Sequence, residues 1–134
     1  MQEIFDFLRE AGTYFLATVE GDQPRVRPFG TSLLMNGKLY IQTGKVKPCS
    51  KQMAQNPKIE ICAMSDTTHD GVWLRIEATA VNDESVEVKQ AMLDDYPQLK
   101  GRYKADDDNT QVLYLKDVTA TFSAHGAEPR VVKF

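Results

Sequence analysis

Residues 25–51 are RVRPFGTSLLMNGKLYIQTGKVKPCSK, a strand, hairpin, strand and helix start in succession. Arg25 to Met35 is an extended segment, and Asn36-Gly37 is a strong hairpin signal because both positions tolerate positive φ. Lys38 to Thr43 is then the returning strand. The loop Gly44-Lys45-Val46-Lys47-Pro48 follows, and Pro48 suits the first turn of a helix, where its missing N–H costs nothing. Cys49 to Gln55 therefore reads as a short helix, stopped at Asn56-Pro57 because the residue before a proline is pushed out of the α region.

Working outward towards the N-terminus, Tyr14 to Val19 is β-prone, with Phe15, Ala17 and Val19 on one face and a turn at Glu20 to Pro24. Ile4, Phe5, Leu8 and Ala11 before it fall at helical spacing, and Gly12 marks the stop of a short leading helix. In the other direction, Ile59 to Met64 resumes as a strand with Ile59, Ile61 and Ala63 on one side, and Ser65 to Gly71 is a polar loop. Val72, Leu74, Ile76, Ala78 and Ala80 alternate with Trp73, Arg75, Glu77 and Thr79, the cleanest period-2 pattern in the chain. Asp83 to Asp95 reads as a helix entered through acidic and hydroxyl residues and ended by Tyr96-Pro97. Lys100 to Thr110 is a polar loop, Gln111 to Phe122 alternates as a strand, and Arg130 to Phe134 can form a last short one. This order favours a mainly β domain over residues 1–134, an antiparallel barrel with peripheral helices, over a βαβ series.

The 134 residues with 42% hydrophobic content fit one core. A formal charge of −3 disfavours a general binder of nucleic acid or anionic membrane but permits a local basic patch. No run approaches the ~18 apolar residues of a membrane span. Met1 to Leu8 does not read as a signal peptide, so a cytoplasmic location is expected, with Cys49 and Cys62 as reduced thiols.

Candidate chemistry concentrates in the opening stretch. Arg25, Arg27 and Phe29 share one strand face, so two cations and an aromatic ring line one surface. Thr43, Lys47, Ser50 and Lys51 gather around the first turn of the short helix, whose free N–H groups and positive dipole end favour a phosphate. Taken alone, such lysines are more often solvated surface charges. His69 and His125 lack a second ligand at metal spacing, and Asp106-Asp107-Asp108-Asn109 lacks the Gly and distal Glu of a calcium loop, leaving a solvated acidic loop.

The segments Tyr14 to Val19, Pro24 to Gly30, Leu39 to Thr43 and Lys47 to Pro57, in that order and spacing, resemble the pyridoxamine 5′-phosphate oxidase-like FMN-binding split-barrel family over about the first 80 residues. The resemblance implies a six-stranded antiparallel split β-barrel with short helices. It also implies a homodimer holding FMN in the groove between two barrels. Arg25, Arg27, Pro28, Phe29 and Gly30 match the family's first FMN-contacting strand. Gln42 and Thr43 match the flavin and ribityl phosphate position, and Lys47, Ser50 and Lys51 match the basic and hydroxyl cluster. The family's Ser-Arg-Lys run aligns with Lys47-Pro48-Cys49, so Lys47 and Lys51 can divide the cationic role differently. Trp73 starts the strand that in this family faces the partner's flavin edge, although interface or core packing explains a lone tryptophan equally well.

The implied function is an FMN-dependent oxidoreductase of a small molecule, with the redox chemistry belonging to the flavin and no acid or base nominated. The alternatives are a flavin-binding or electron-carrying module without turnover and a dimeric barrel without the cofactor. True pyridoxamine phosphate oxidases carry a longer C-terminal region with substrate-binding residues. Here the sequence runs out at Glu128 to Phe134, so vitamin B6 oxidation is not expected.

Overall fold

A computed structural model of the chain describes residues 1–65 and 71–134. The element order is α1 (Gln2–Ala11), β1 (Tyr14–Glu20), β2 (Gln23–Phe29), β3 (Leu33–Met35), β4 (Lys38–Gly44), α2 (Pro48–Gln55), β5 (Lys58–Met64), β6 (Trp73–Asp83), α3 (Val86–Asp95), a 3-10 helix (Pro97–Gly101), β7 (Thr110–Ser123) and β8 (Arg130–Lys133). The expected mainly β split barrel is present, with helices at its periphery. All eight strands pair antiparallel in one sheet of order β2-β1-β5-β6-β7-β4-β3, with β8 added on β7. The ladder is not closed, because β2 and β3 end it on either side and no pairing joins them.

Eight strands stand where six are implied, for two physical reasons. The C-terminal tail pairs with β7, and the segment from Arg25 to Met35 breaks in its middle. Side chains take the backbone groups there that a ladder would otherwise use. Tyr14 Oη donates to Thr31 O at 2.6 Å, Arg9 Nη2 donates to Ser32 O at 2.6 Å, and Ser32 N donates to Tyr96 Oη at 3.0 Å. With its polar groups satisfied sideways, residues 30–32 can turn out of the sheet while staying packed. The Asn36-Gly37 hairpin is as expected, with φ of 55° and 70°.

The core follows the strand alternation. Leu16, Ile61, Ile76 and Ala120 lie side by side across β1, β5, β6 and β7, and all four are fully buried. Each buried aliphatic side chain of this kind contributes about 1.5–3 kcal/mol. Ile4 and Leu8 of α1 add to the same core, while Val88 and Met92 of α3 pack on Leu33, Tyr40 and Val112 in a second cluster. On β7, Asp117 (φ 53°) and Val118 stand against the single residue Ala78, a bulge that bends the long strand. The first half of β7 carries β4 and the second half β8 on the same edge.

Replacing Ile61 by Ala should cost about 2–5 kcal/mol, because the rigid row on either side cannot close over the missing atoms. Urea unfolding measures this, and a loss below about 1 kcal/mol would mean that the row is not tightly packed.

Candidate functional site

Four segments meet at one end of the sheet. The end of β2 runs into Gly30 and Thr31, β4 ends at Gly44, α2 begins at Pro48, and the 3-10 helix hands over to residues 102–109. They enclose a cleft of about 190 Å³. The first two walls are tied together by Gln42 N, which donates to Thr31 Oγ1 at 3.0 Å. The third is set by a tight turn in which Lys47 N donates to Gly44 O at 3.0 Å. Lys47 then stands as the residue before α2 in extended backbone, with Pro48 in the first helical turn and no side chain capping the helix.

The fourth wall is pinned to the loop between β4 and α2. Lys45 N donates to Asn109 O at 2.7 Å, and Val46 N donates to Asn109 Oδ1 at 3.1 Å. Asp107 organises the turn before it, accepting from the amides of Lys104, Asn109 and Thr110 at 2.9, 3.0 and 2.6 Å. The acidic segment is a loop as expected, with Asp106 and Asp108 exposed, and Asp107 builds it into a turn beside Tyr103 and Arg102. Gly44 fits this wall closely: a Cβ there would stand 3.1 Å from both Tyr103 Oη and Asn109 Nδ2.

Seven of the residues singled out in the sequence line the cleft together: Arg27, Pro28, Phe29, Gly30, Gln42, Thr43 and Lys47. Four others lie elsewhere. Arg25 is exposed and pairs with Glu20 at 2.9 Å. Ser50 is buried and its hydroxyl donates to Gln111 Oε1 at 2.6 Å. Lys51 borders a separate groove with Glu20, Pro48, Gln52 and Gln55. Trp73 opens β6 on the outer face of the sheet, its ring 5.4 Å from that of His125. His69 lies outside the described residues. Sequence reasoning missed Thr31, Leu99, Arg102 and Tyr103 as lining residues. It read Cys49 as a reduced thiol in the short helix, and the side chain sits buried at the cleft with Sγ 3.4 Å from Thr43 Oγ1.

Among the described residues the lining carries three cations, Arg27, Lys47 and Arg102, and no carboxylate. Of the acids nearby, Glu20 pairs with Arg25. Glu84 holds Lys45 at 2.9 Å and Lys89 at 3.0 Å, and hydrogen bonds from Asn82 first and then from these lysines draw its pKa down to about 2. Aromatic and aliphatic surface from Phe29, Leu99 and Tyr103 completes the lining. Such a cleft suits an anionic group attached to an apolar or aromatic body. Among the described residues no group of three or more His, Cys, Asp or Glu is placed to hold a metal ion.

With this geometry in view, comparison with known families gives a match to pyridoxamine 5′-phosphate oxidase over residues 1–129. The chain belongs to that family. Among solved structures it is 42% identical to a NimC/NimA family protein from Clostridium acetobutylicum, with a TM-score of 0.93 over 100% of this chain and 92% of that one. The General Stress Protein 26 of Bacillus anthracis aligns at 17% identity and TM-score 0.78, covering 99% of this chain and 97% of its own. HutZ, the heme storage protein of Vibrio cholerae, aligns at 19% and 0.66, covering 86% and 87%. The last two share the fold of the family at identities that speak for the fold alone. Comparison with curated proteins gives no match.

Two outcomes test the pinned wall. A Gly44→Ala substitution should destabilise the protein by roughly 1–3 kcal/mol, because the added methyl displaces Tyr103 or Asn109, and a thermal melt measures it. Burial acts to raise the pKa of Asp107, but hydrogen bonds from the Thr110, Lys104 and Asn109 amides outweigh it and lower the value from 3.8 to about 2. A depressed folded-state pKa gives stability that is complete above about 4 and lost as the pH falls towards 2. Acid unfolding of the D107N variant should therefore be less steep than wild type across that window, and superimposable curves would remove Asp107 as the pin.

Proposed function

We propose that the cleft binds FMN by its phosphate and that the protein is an FMN-dependent oxidoreductase of a small molecule, working as a homodimer. The observation that carries the reading is the charge of the cleft: among the described residues its lining has three cations and no carboxylate, in a chain whose formal net charge is −3. A phosphate monoester carries close to two negative charges near neutral pH, and this donor set fits it. Bound there, FMN supplies hydride and electron transfer. The chain's own residues bind and orient: Lys47 and the start of α2 face the phosphate, Gln42 and Thr43 offer polar contacts along the ribityl chain, and Phe29 gives an apolar surface beyond it.

A volume of about 190 Å³ is small beside the roughly 300–1,000 Å³ of pockets that enclose an organic ligand. One chain thus accommodates the phosphate end, and the ring system needs a second cover. The outer face of β1, β2 and β5 supports a second copy as that cover. Phe15, Val26 and Met64 are more than half exposed there, Phe15 pairs across to Pro28 at the cleft, and Met64 pairs to Trp73. Large apolar side chains exposed together on one sheet face favour an interaction surface. In the dimer Trp73 would lie at or near the interface.

The heme storage protein among the structural neighbours raises heme as a different occupant. The lining supports FMN over heme, since its cations suit a phosphate and no imidazole stands in it among the described residues, where His125 lies on the outer face beside Trp73.

The purified protein, or the protein after addition of FMN, should show a flavin absorbance band and a raised melting temperature. Lys47→Ala should weaken FMN binding about tenfold or more, the loss of a charge-assisted hydrogen bond. Lys51→Ala should leave it within about threefold, because that side chain borders the other groove. Equal effects of both, or no flavin binding at all, would sink the reading.

A further inference from the structure

The family resemblance matches Arg27 to the first FMN-contacting strand, which makes its guanidinium one candidate partner for the phosphate. The geometry commits that group to the protein instead. Arg27 Nη1 donates to Thr18 Oγ1 at 2.8 Å and to Leu16 O at 3.2 Å, and Nη2 donates to Gln52 Oε1 at 2.7 Å. These bonds hold β2 against β1 and α2. A guanidinium has five N–H donors, and the strong ones here point into the wall of the cleft.

The other basic side chains of the region are engaged or turned away. Arg25 is paired to Glu20, Lys45 is paired to Glu84, and Lys51 lies in the groove beyond α2. Two cations line the cleft with no side-chain hydrogen bond or ion pair among the described residues: Lys47 and Arg102. Arg102 follows the 3-10 helix, is exposed, and has its guanidinium 6.0 Å from the ring of the adjacent Tyr103. Tyr103 is buried against Gly44 and Asn109, so the backbone that carries Arg102 is fixed while its side chain is free to reach a ligand.

We infer that Arg102, and not Arg27, is the guanidinium that takes the phosphate of the bound flavin, opposite Lys47, and that it sets the preference for FMN over the unphosphorylated flavin. Arg27 is then a positioning residue that lends its charge from inside the wall. The planar fork of an arginine matches two phosphate oxygens at once, whereas Lys47 supplies a point charge. This rests on the flavin reading above.

The test is a fluorescence titration of FMN and of riboflavin against wild type, R102A, R102K, R27A and K47A, with thermal melts of each. Loss of Arg102 should weaken FMN about tenfold or more and leave riboflavin unchanged within about twofold. R102K should restore only part of the loss, since it keeps the charge without the fork. R27A should lower the melting temperature and weaken both flavins together. If R102A binds FMN as wild type does while K47A is weakened, the assignment of Arg102 is wrong and the phosphate site stands. If R102A loses both flavins equally, Arg102 shapes the wall and does not read the phosphate, which also overturns the assignment. If wild type fails to prefer FMN over riboflavin and K47A changes nothing, the flavin reading itself falls.

Discussion

The pairing of β4 with the first half of β7 sets Gly44 opposite Thr110, and the site depends on that register. The two residues are far apart in sequence, and each begins a segment that belongs to the cleft. Gly44 leads into Lys45, Val46 and Lys47, while Thr110 is led into by Asp107 and Asn109. Because an antiparallel ladder exchanges its bonds at fixed intervals, a slip of one residue would invert every side chain on β4. It would also separate Lys45 N and Val46 N from Asn109. The buried row from Leu16 to Ala120 prevents such slips in the sheet that β7 anchors. Packing in the core thus transmits to the position of exposed cations at the rim.

Electrostatics at that rim bear on the proposed reading. Gathering Arg27, Lys47 and Arg102 around a small cleft costs free energy through mutual repulsion, and Glu20 and Glu84 do not relieve it, since they serve Arg25, Lys45 and Lys89. Exposed pairs of this kind add little stability by themselves. Their effect is selective: they neutralise the neighbours and leave the lining cations without an ion pair among the described residues. An anion that binds only the folded state would remove the repulsion and add its binding free energy to stability.

Much of the fold was legible in the sequence because period-2 alternation, the Asn36-Gly37 turn and the Pro48 and Pro57 signals are local. The break between β2 and β3 was not, since it comes from Tyr14, Arg9 and Tyr96, none of which is near residues 30–32 in sequence. The strand and hairpin half of the cleft was legible for the same local reasons. Lys47, however, stands in extended backbone before α2, so its side chain does not continue the helical face on which Lys51 lies. Helical spacing therefore grouped two lysines that the structure separates. Arg102 and Tyr103 carried no signal at all, because a polar segment held by Asp107 and Asn109 has no periodicity to read.

Strand β1 shows how the chain divides between self-sufficiency and association. Tyr14, Leu16 and Thr18 face inward and are fully buried, so the reading of Phe15, Ala17 and Val19 as one face identified the outward side of the strand. A strand apolar on both faces reads as one that is covered twice. The inner cover is the core. On the proposed reading the outer cover is a second copy, whose arrival would bury Phe15, Val26 and Met64 and close the mouth of a cleft that begins at Pro28. Cofactor retention and dimerisation would then be linked equilibria, since each buries surface that the other leaves exposed.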